Sequence, residues 1–149
     1  MTSSGTTGNW KRKSQVSDVL RVHSPVDPTD FSVNIRFRGK QALHPRARAA
    51  IADLYAATRT SIRECGWQPP IPQQFEVTAW FNFKNDRGDL DNPYKRVQDA
   101  VLDAIKDEFP GIGVNDSRVR RITMHKRNVQ REGGEVGVTV EVRKWQPIS

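Results

Sequence analysis

Two aspartates separated by one residue, Asp89 and Asp91, have the spacing best suited to chemistry in this sequence. In an extended stretch, alternate side chains leave the same side of the backbone, so the two carboxylates would lie side by side. Adjacent carboxylates repel and raise each other's pKa, and a divalent cation removes that penalty. Mg²⁺ takes hard oxygen ligands, commonly one or two carboxylates with water and phosphate. The pair predicts a Mg²⁺ site; the simpler alternative is turn and first-turn aspartates that favour a helix dipole.

A lysine shortly after this pair, Lys95, favours the chemical interpretation. It is predicted one turn into a helix, where a cation opposes the macrodipole, so another interaction must select it. One such interaction is with a scissile phosphate, whose developing charge a lysine would neutralise. The alternative is an ion pair with Asp99, four residues later, which stabilises a helix by about 0.2–0.5 kcal/mol. The two roles are compatible.

A third acidic residue, Asp116, precedes a later predicted strand. If that strand starts beside the helix, Asp116 would approach Asp89 and Asp91. Three carboxylates and a lysine near one point, in a basic chain, indicate metal-assisted hydrolysis of a phosphodiester. There the metal polarises a phosphoryl oxygen and lowers the pKa of an attacking water. A β-turn aspartate is the alternative for Asp116.

The elements that must position these residues follow from apolar periodicity, which predicts the order β-α-β-α-β-β. The predicted elements are a strand over 31–37, a helix over 45–65, a strand over 75–83, a helix with Asn92 as its cap and Pro93 in its first position, and strands over about 118–127 and 136–143. We expect the last two strands to form a hairpin that turns near 132–135. This order predicts an α+β fold, a small mixed β-sheet with two helices packed on it in a two-layer single domain.

Length and composition limit the class of protein. The 149 residues fit one domain, and we expect a disordered basic and polar tail over 1–14 followed by a folded domain over 15–149. The single cysteine, Cys65, cannot form an internal disulfide, which favours a reducing compartment. No stretch approaches the roughly 18 apolar residues of a membrane span. We therefore expect a cytoplasmic protein with no membrane partner.

A formal net charge of +7, from 24 Lys and Arg against 17 Asp and Glu, suits a polyanionic partner such as DNA. Basic side chains would contact phosphates, which fixes position without reading sequence. The candidates are Arg118, Arg120, Arg121 and Lys126, then Arg36 and Arg38, with Lys40, Arg127 and the tail residues Lys11, Arg12 and Lys13 in addition. Arg118, Arg120 and Lys126 are predicted to share one strand face. A solvated strand face is the alternative for each.

The aromatic and histidine residues carry less information. Trp80 is predicted to point to the sheet face opposite the core, and it could wedge into branched DNA. The three histidines, His23, His44 and His125, show no ligand spacing and are expected to be structural or surface residues.

Four motifs occur together in the chain. They are Asp89-Leu90-Asp91-Asn92, then Lys95, then Asp99-Ala100-Val101-Leu102, then Asn115-Asp116 before a valine-bearing strand. Over roughly 75–127, this combination resembles the signature of the RusA family of Holliday junction resolvases. The resemblance implies that Asp89, Asp91 and Asp116 bind Mg²⁺, or Mn²⁺ as a substitute, and that Lys95 is also catalytic.

The resemblance further implies a homodimer, bacterial or from a phage, whose two active sites nick opposed strands of a four-way DNA junction during recombination and repair. Two features depart from the family pattern. The family often has two adjacent acidic residues where this chain has Asn115-Asp116, and the segment 107–114 is longer than usual. The segment would lie near the site and alter which branched structure, junction, fork or flap, is preferred.

Two other function classes remain open at this point. In a non-catalytic basic DNA-binding module, the same carboxylates would serve only as helix caps and turn residues. A metal-dependent nucleotidyl or glycosyl transferase could also use Asp-x-Asp, but the chain has no Gly-rich phosphate loop.

Overall fold

The computed structural model describes residues 17–37, 40–85 and 91–147, with the backbone alone for 34–37, 40–41 and 91–92. The strands are β1 (Val19–Ser24), β2 (Asn34–Phe37), β3 (Lys40–Leu43), β4 (Phe75–Phe83), β5 (Val119–Asn128) and β6 (Gly137–Lys144). The helices are α1 (Pro45–Cys65), α2 (Asp91–Glu108) and the short α3 (Val129–Glu132), with 3-10 turns at Pro28–Ser32 and Asp116–Arg118. A single small α+β domain with a mixed sheet results, which confirms the predicted fold class.

The main sheet has the strand order β1-β6-β4-β5. β6 runs antiparallel to both β1 and β4, whereas β5 runs parallel to β4. Parallel neighbours need a crossover connection, and α2 lies in the connection between β4 and β5. The central strand β4 buries the alternate residues that the sequence assigned to the core: Phe75, Val77, Ala79, Phe81 and Phe83.

The first helix has the predicted bounds because both of its ends carry clear signals. His44 precedes it and accepts the Arg46 amide through Nδ1 at 3.0 Å, and Pro45 occupies the first position. Gly66 ends it at φ 69°, a left-handed conformation that glycine adopts without a steric penalty. The helical period of the sequence predicts an inner stripe of Ala47, Ala50, Ile51, Leu54, Tyr55, Thr58 and Ile62. All of these are buried except Ile51 and Tyr55, which are half-buried, and the helix packs on β1 and α2.

The second helix begins at Asp91, one residue before the predicted Asn92 cap. The helical period of the sequence predicts an inner stripe on this helix, and all of its members are buried: Tyr94, Val97, Gln98, Val101, Leu102 and Ile105. At its C-terminal end, Glu108 Oε2 accepts from Arg59 Nε at 2.6 Å and from Arg63 Nη2 at 2.9 Å, while Tyr55 donates to Asp107. These contacts hold α2 against α1.

None of the helices in the described ranges has the length and apolar character needed to cross a membrane.

Two predictions about the N-terminal strands are wrong. The sheet begins at β1, which the sequence did not predict, and the strand predicted over 31–37 starts only at Asn34. Phe31 instead belongs to a 3-10 turn capped by Asp27, whose Oδ1 accepts the Thr29 amide at 2.9 Å. β2 then pairs with β3 in a separate two-stranded sheet. The period-two pattern of this region was right for a strand, but it cannot say which partner the strand will take.

The predicted hairpin between the last two strands is also wrong. β4 lies between β5 and β6, so the last two strands are not hydrogen-bonded to each other. Gly133 and Gly134 do turn the chain with positive φ, at 80° and 92°, after the single turn of α3. A Gly-Gly pair therefore indicated the turn correctly but not the strands that it joins.

Candidate active site

The structure brings Lys95 and Asp116 together from separate elements. Lys95 lies one turn into α2, and Asp116 lies in the 3-10 turn that precedes β5. Lys95 Nζ donates to Asp116 Oδ2, and it also donates to Asp99 Oδ1 at 3.1 Å. The side chains of Lys95 and Asp116 are 60% and 54% exposed, so the pair is open to a ligand from solvent.

A hydrogen-bonded chain connects Asp116 to the protein interior. Gln98 Nε2 donates to Asp116 Oδ1 at 3.2 Å, and Tyr94 Oη donates to Gln98 Oε1 at 2.5 Å. Tyr94 and Gln98 are only 8% and 5% exposed. The chain fixes one oxygen of Asp116 from behind while the other faces Lys95. From the sequence, Tyr94 and Gln98 are predicted only to pack in the core. The signal for a further role is that Gln98 is the one amide in an apolar stripe, because a buried amide needs hydrogen-bond partners.

These contacts keep the site charged at neutral pH. The ammonium of Lys95, helped by the Gln98 amide, holds the pKa of Asp116 below its usual value. Asp116, then Asp99, raises the pKa of Lys95. Burial, together with the charge of Asp116, raises the pKa of Tyr94, which therefore remains a hydrogen-bond donor. Asp116 is thus a carboxylate, the form in which it can bind a cation.

An open groove of about 440 Å³ runs along α2 beside Asp116. Its polar lining comes from Asp99, Asp103, Lys106, Asn115, Asp116 and Ser117. Burial, and then the charges of Asp99 and Asp107, raise the pKa of Asp103, so negative charge accumulates along this side of the helix. The lining offers oxygen ligands without imidazole or thiolate, a donor set that fits a hard cation such as Mg²⁺.

The predicted Asp-x-Asp motif lies partly outside the described residues. Asp91 is the first residue of α2, four residues before Lys95, and only its backbone is described; Asp89 falls within the undescribed 86–90. The chain leaves β4 at Lys84, whose amide donates to Asp27 Oδ2 at 3.1 Å. Among the side chains that are described, no three His, Cys, Asp or Glu residues are arranged to hold a metal.

The predicted DNA-contacting residues of β5 do not share one face. Arg118 precedes the strand and donates from Nε to the Gly113 carbonyl at 3.0 Å. Arg120 sits at a register shift and lies 4.9 Å over the Trp145 ring. Lys126 lies 5.4 Å over the Phe83 ring on the helix side of the sheet, and Arg121 points to the opposite side. The prediction assumed that alternate side chains along one strand point to the same face. The 3-10 turn before the strand and the bulge at its start break this alternation.

Other predicted basic residues lie outside what the structure describes. These are Arg38, the side chains of Arg36 and Lys40, and the tail over 1–14. The predicted disorder of that tail concerns residues outside the described ranges.

Comparison of the chain with models of known protein families finds no match, and comparison with curated proteins finds none. The resemblance to the RusA family therefore rests on the sequence motifs.

Proposed function

We propose that this protein is a Mg²⁺-dependent endonuclease that cuts branched DNA, in the manner of RusA-type resolvases. The observation that carries the proposal is the pairing of Lys95 with Asp116 at an exposed groove, one turn after Asp91. Metal-assisted cleavage requires these two motif residues to lie close together. They are 21 positions apart in the chain, so only the fold brings them into contact. A surface salt bridge alone would not need the buried Gln98–Tyr94 support behind it.

The proposed metal ligands are Asp89, Asp91 and Asp116. Mg²⁺, when bound, would polarise the phosphoryl oxygen and lower the pKa of the attacking water. Lys95 would exchange its contact with Asp116 for the scissile phosphate and neutralise charge that develops there. Asp116 keeps its orientation during that exchange because Gln98 still holds its second oxygen.

The proposed substrate is a four-way junction, with forks and flaps as related structures, in recombination and repair. Paired nicks on opposed strands need two sites, so we propose a homodimer. Sedimentation at micromolar concentration tests this part separately, and a monomer would argue against paired cutting.

The decisive experiment compares wild type and Asp91→Asn on end-labelled four-way junction, fork and linear duplex, each with Mg²⁺ and with EDTA. We expect Mg²⁺-dependent nicking of branched DNA that the substitution abolishes while binding persists. Asp18→Asn, at an exposed aspartate outside the groove, is the matched control and should cut normally. Normal cutting by Asp91→Asn would refute the metal assignment.

A non-catalytic basic DNA-binding module is the second candidate. It is favoured by the fact that Lys95 already has two carboxylate partners, Asp99 and Asp116, and therefore needs no phosphate to compensate its charge. Under this alternative, wild type binds branched DNA without cutting it, and Mg²⁺ changes binding only through ordinary salt screening.

A further inference from the structure

The face of the main sheet opposite α1 and α2 carries a second surface, separate from the carboxylate groove. On β4 the residues between the buried ones point to it, and Trp80 is half-buried there. The register places three side chains in one row with Trp80: His23 on β1, Thr139 on β6 and His125 on β5. We call this surface the open face.

A layered stack of three side chains stands at the centre of the open face. The rings of Trp80 and His125 lie 5.3 Å apart with an interplanar angle of 11°. The guanidinium of Arg21 lies 5.6 Å from the indole centre. β1 and β5 lie on opposite sides of β4, so Arg21 and His125 approach the indole from opposite sides of the sheet. The imidazole of His125 is exposed, and its ring is nearly parallel to the indole.

A small pocket adjoins the imidazole of His125. It has a volume of about 250 Å³, and its lining comes from Trp80, Asn82, His125, Lys126, Arg127 and one acidic residue, Glu132. Pockets for drug-sized ligands have volumes of roughly 300–1,000 Å³, so this smaller pocket suits one small planar group such as a nucleobase. Asn82 donates to the Glu135 carbonyl at 3.0 Å, which fixes the wall next to β6.

The charge around the stack is positive. Four arginines, Arg21, Arg121, Arg127 and Arg143, share the open face with two glutamates. Glu141 accepts from Arg21 and Arg143, and Glu76 accepts from Arg121 at 2.7 Å. Arg127, next to the pocket, has no carboxylate partner among the described residues, so its charge is available to a phosphate.

We propose that the open face binds single-stranded DNA, with a base stacked on His125 and a neighbouring phosphate on Arg127. Base stacking on a ring beside a cation is how proteins hold single strands without reading their sequence. The choice of DNA over RNA rests on the proposed function, since the strands that separate at a branch point would supply the ligand. The binding itself needs no part of the carboxylate groove.

A second copy of this chain fits the open face poorly. Two copies would bring like-charged arginines together, whereas stable homodimer interfaces have an apolar core. Among the described residues, the exposed large hydrophobic side chains are Ile71 and Ile122, and neither lies on this face.

The test is binding of a fluorescent oligothymidylate of about 12 nucleotides in EDTA, where no cutting occurs. We expect His125→Ala to weaken binding about 10-fold, because removal of one aromatic stacking partner typically lowers the affinity for a single strand by roughly 5- to 150-fold. Thr123→Ala, at an exposed position two residues away on the same face, is the matched control and should bind like wild type. His125→Phe keeps a stacking ring and should retain most of the affinity.

The salt dependence tests the phosphate contact. Arg127→Gln should lower the slope of log Kd against log salt by about 0.7, the value for one phosphate contact on a single strand. Equal binding by wild type and His125→Ala, or no binding by wild type, would overturn the proposal. Tighter binding of oligouridylate than of oligothymidylate would show that the ligand of the open face is RNA and not DNA. Self-association of wild type that His125→Ala relieves would show that the open face binds a second copy of this chain.

The two proposals fail separately. Asp91→Asn should bind the oligonucleotide like wild type if the open face acts alone. Loss of cutting with intact binding therefore reports on the groove, and loss of binding in His125→Ala reports on the open face.

Discussion

The two ends of α2 carry charge clusters that look alike in sequence and differ in structure. At the N-terminal end, Lys95 opposes the helix dipole and is compensated by Asp99 and Asp116. At the C-terminal end, Glu108 also opposes the dipole and is compensated by Arg59 and Arg63 of α1. Each cluster thus contains a charge that the helix alone disfavours.

Access to solvent separates the two clusters. The Glu108 side chain is 11% exposed because its partners come from a helix packed against it. The Lys95–Asp116 pair borders an open groove, and its partner comes from a short turn. An unfavourable charge on a helix therefore indicates a compensating contact but not its purpose. Only the surroundings distinguish a contact that joins helices from one that can be exchanged for a ligand.

The sharpest test of this comparison replaces one aspartate at each end. Asp116→Asn should reduce cutting of branched DNA by at least about 100-fold, as expected for loss of a charge that acts directly on the reaction. Asp107→Asn, near Glu108, should cut normally, since Tyr55 is its contact. Single-turnover assays on end-labelled junctions would measure cutting by both variants. Equal losses of cutting would mean that the two ends of α2 do not differ in function.

The buried support of Asp116 gives a smaller effect. Gln98→Met keeps the volume of the side chain but removes the donor to Asp116, and we expect about a 10-fold loss of cutting, in the range for groups that orient metal ligands. The substitution also leaves the Tyr94 hydroxyl buried without its partner, which costs about 1–3 kcal/mol.

Adding Tyr94→Phe to Gln98→Met separates these two effects. The double variant should recover stability in urea unfolding but not activity. Recovery of both would mean that Gln98 acts only through packing.

The C-terminal cluster should affect stability alone. Arg63 and Arg59 hold the pKa of Glu108 below its usual value of about 4.5, so the carboxylate stabilises the fold above that pH. The contribution is lost as the pH falls through the lowered pKa. Glu108→Gln should therefore lower the thermal midpoint at pH 7, with a difference from wild type that shrinks towards pH 3.

Glu64→Gln, at an exposed glutamate on α1, is the matched control for Glu108→Gln and should leave the midpoint unchanged. Cutting at pH 7 should be normal in both variants. A loss of activity in Glu108→Gln at a temperature where it is folded would contradict the assignment of this cluster to stability.

The smallest expected effect is at Asp99. Asp99→Asn removes the second partner of Lys95, an exposed pair worth about 0.3–0.5 kcal/mol, and leaves the contact with Asp116. Unfolding in urea should show that small loss, and cutting should change by less than about three-fold. A loss as large as that of Asp116→Asn would place Asp99 among the metal ligands.

The sequence by itself determined the two long helices, the central strand and the residue types of the groove. These follow from local rules: the 3.6-residue and two-residue apolar periods, Pro45 and Gly66 at the ends of α1, and the spacing of Lys95 from Asp91. The sequence predicts that Asp89, Asp91, Asp116 and Lys95 lie near one point, and within the described residues the structure pairs Lys95 with Asp116. The sequence assigns Gln98 to packing, because periodicity shows burial and not the partner of a buried amide.

Only the tertiary structure decided the strand order, the partner of each basic residue and the open face. Strand pairing depends on contacts distant in sequence, and many orders satisfy the same alternation. For that reason the Gly-Gly turn suggested a hairpin that β4 interrupts. The Arg21–Trp80–His125 stack joins three strands, and no local pattern could predict it, because its geometry exists only once β1, β4 and β5 take their places in the sheet.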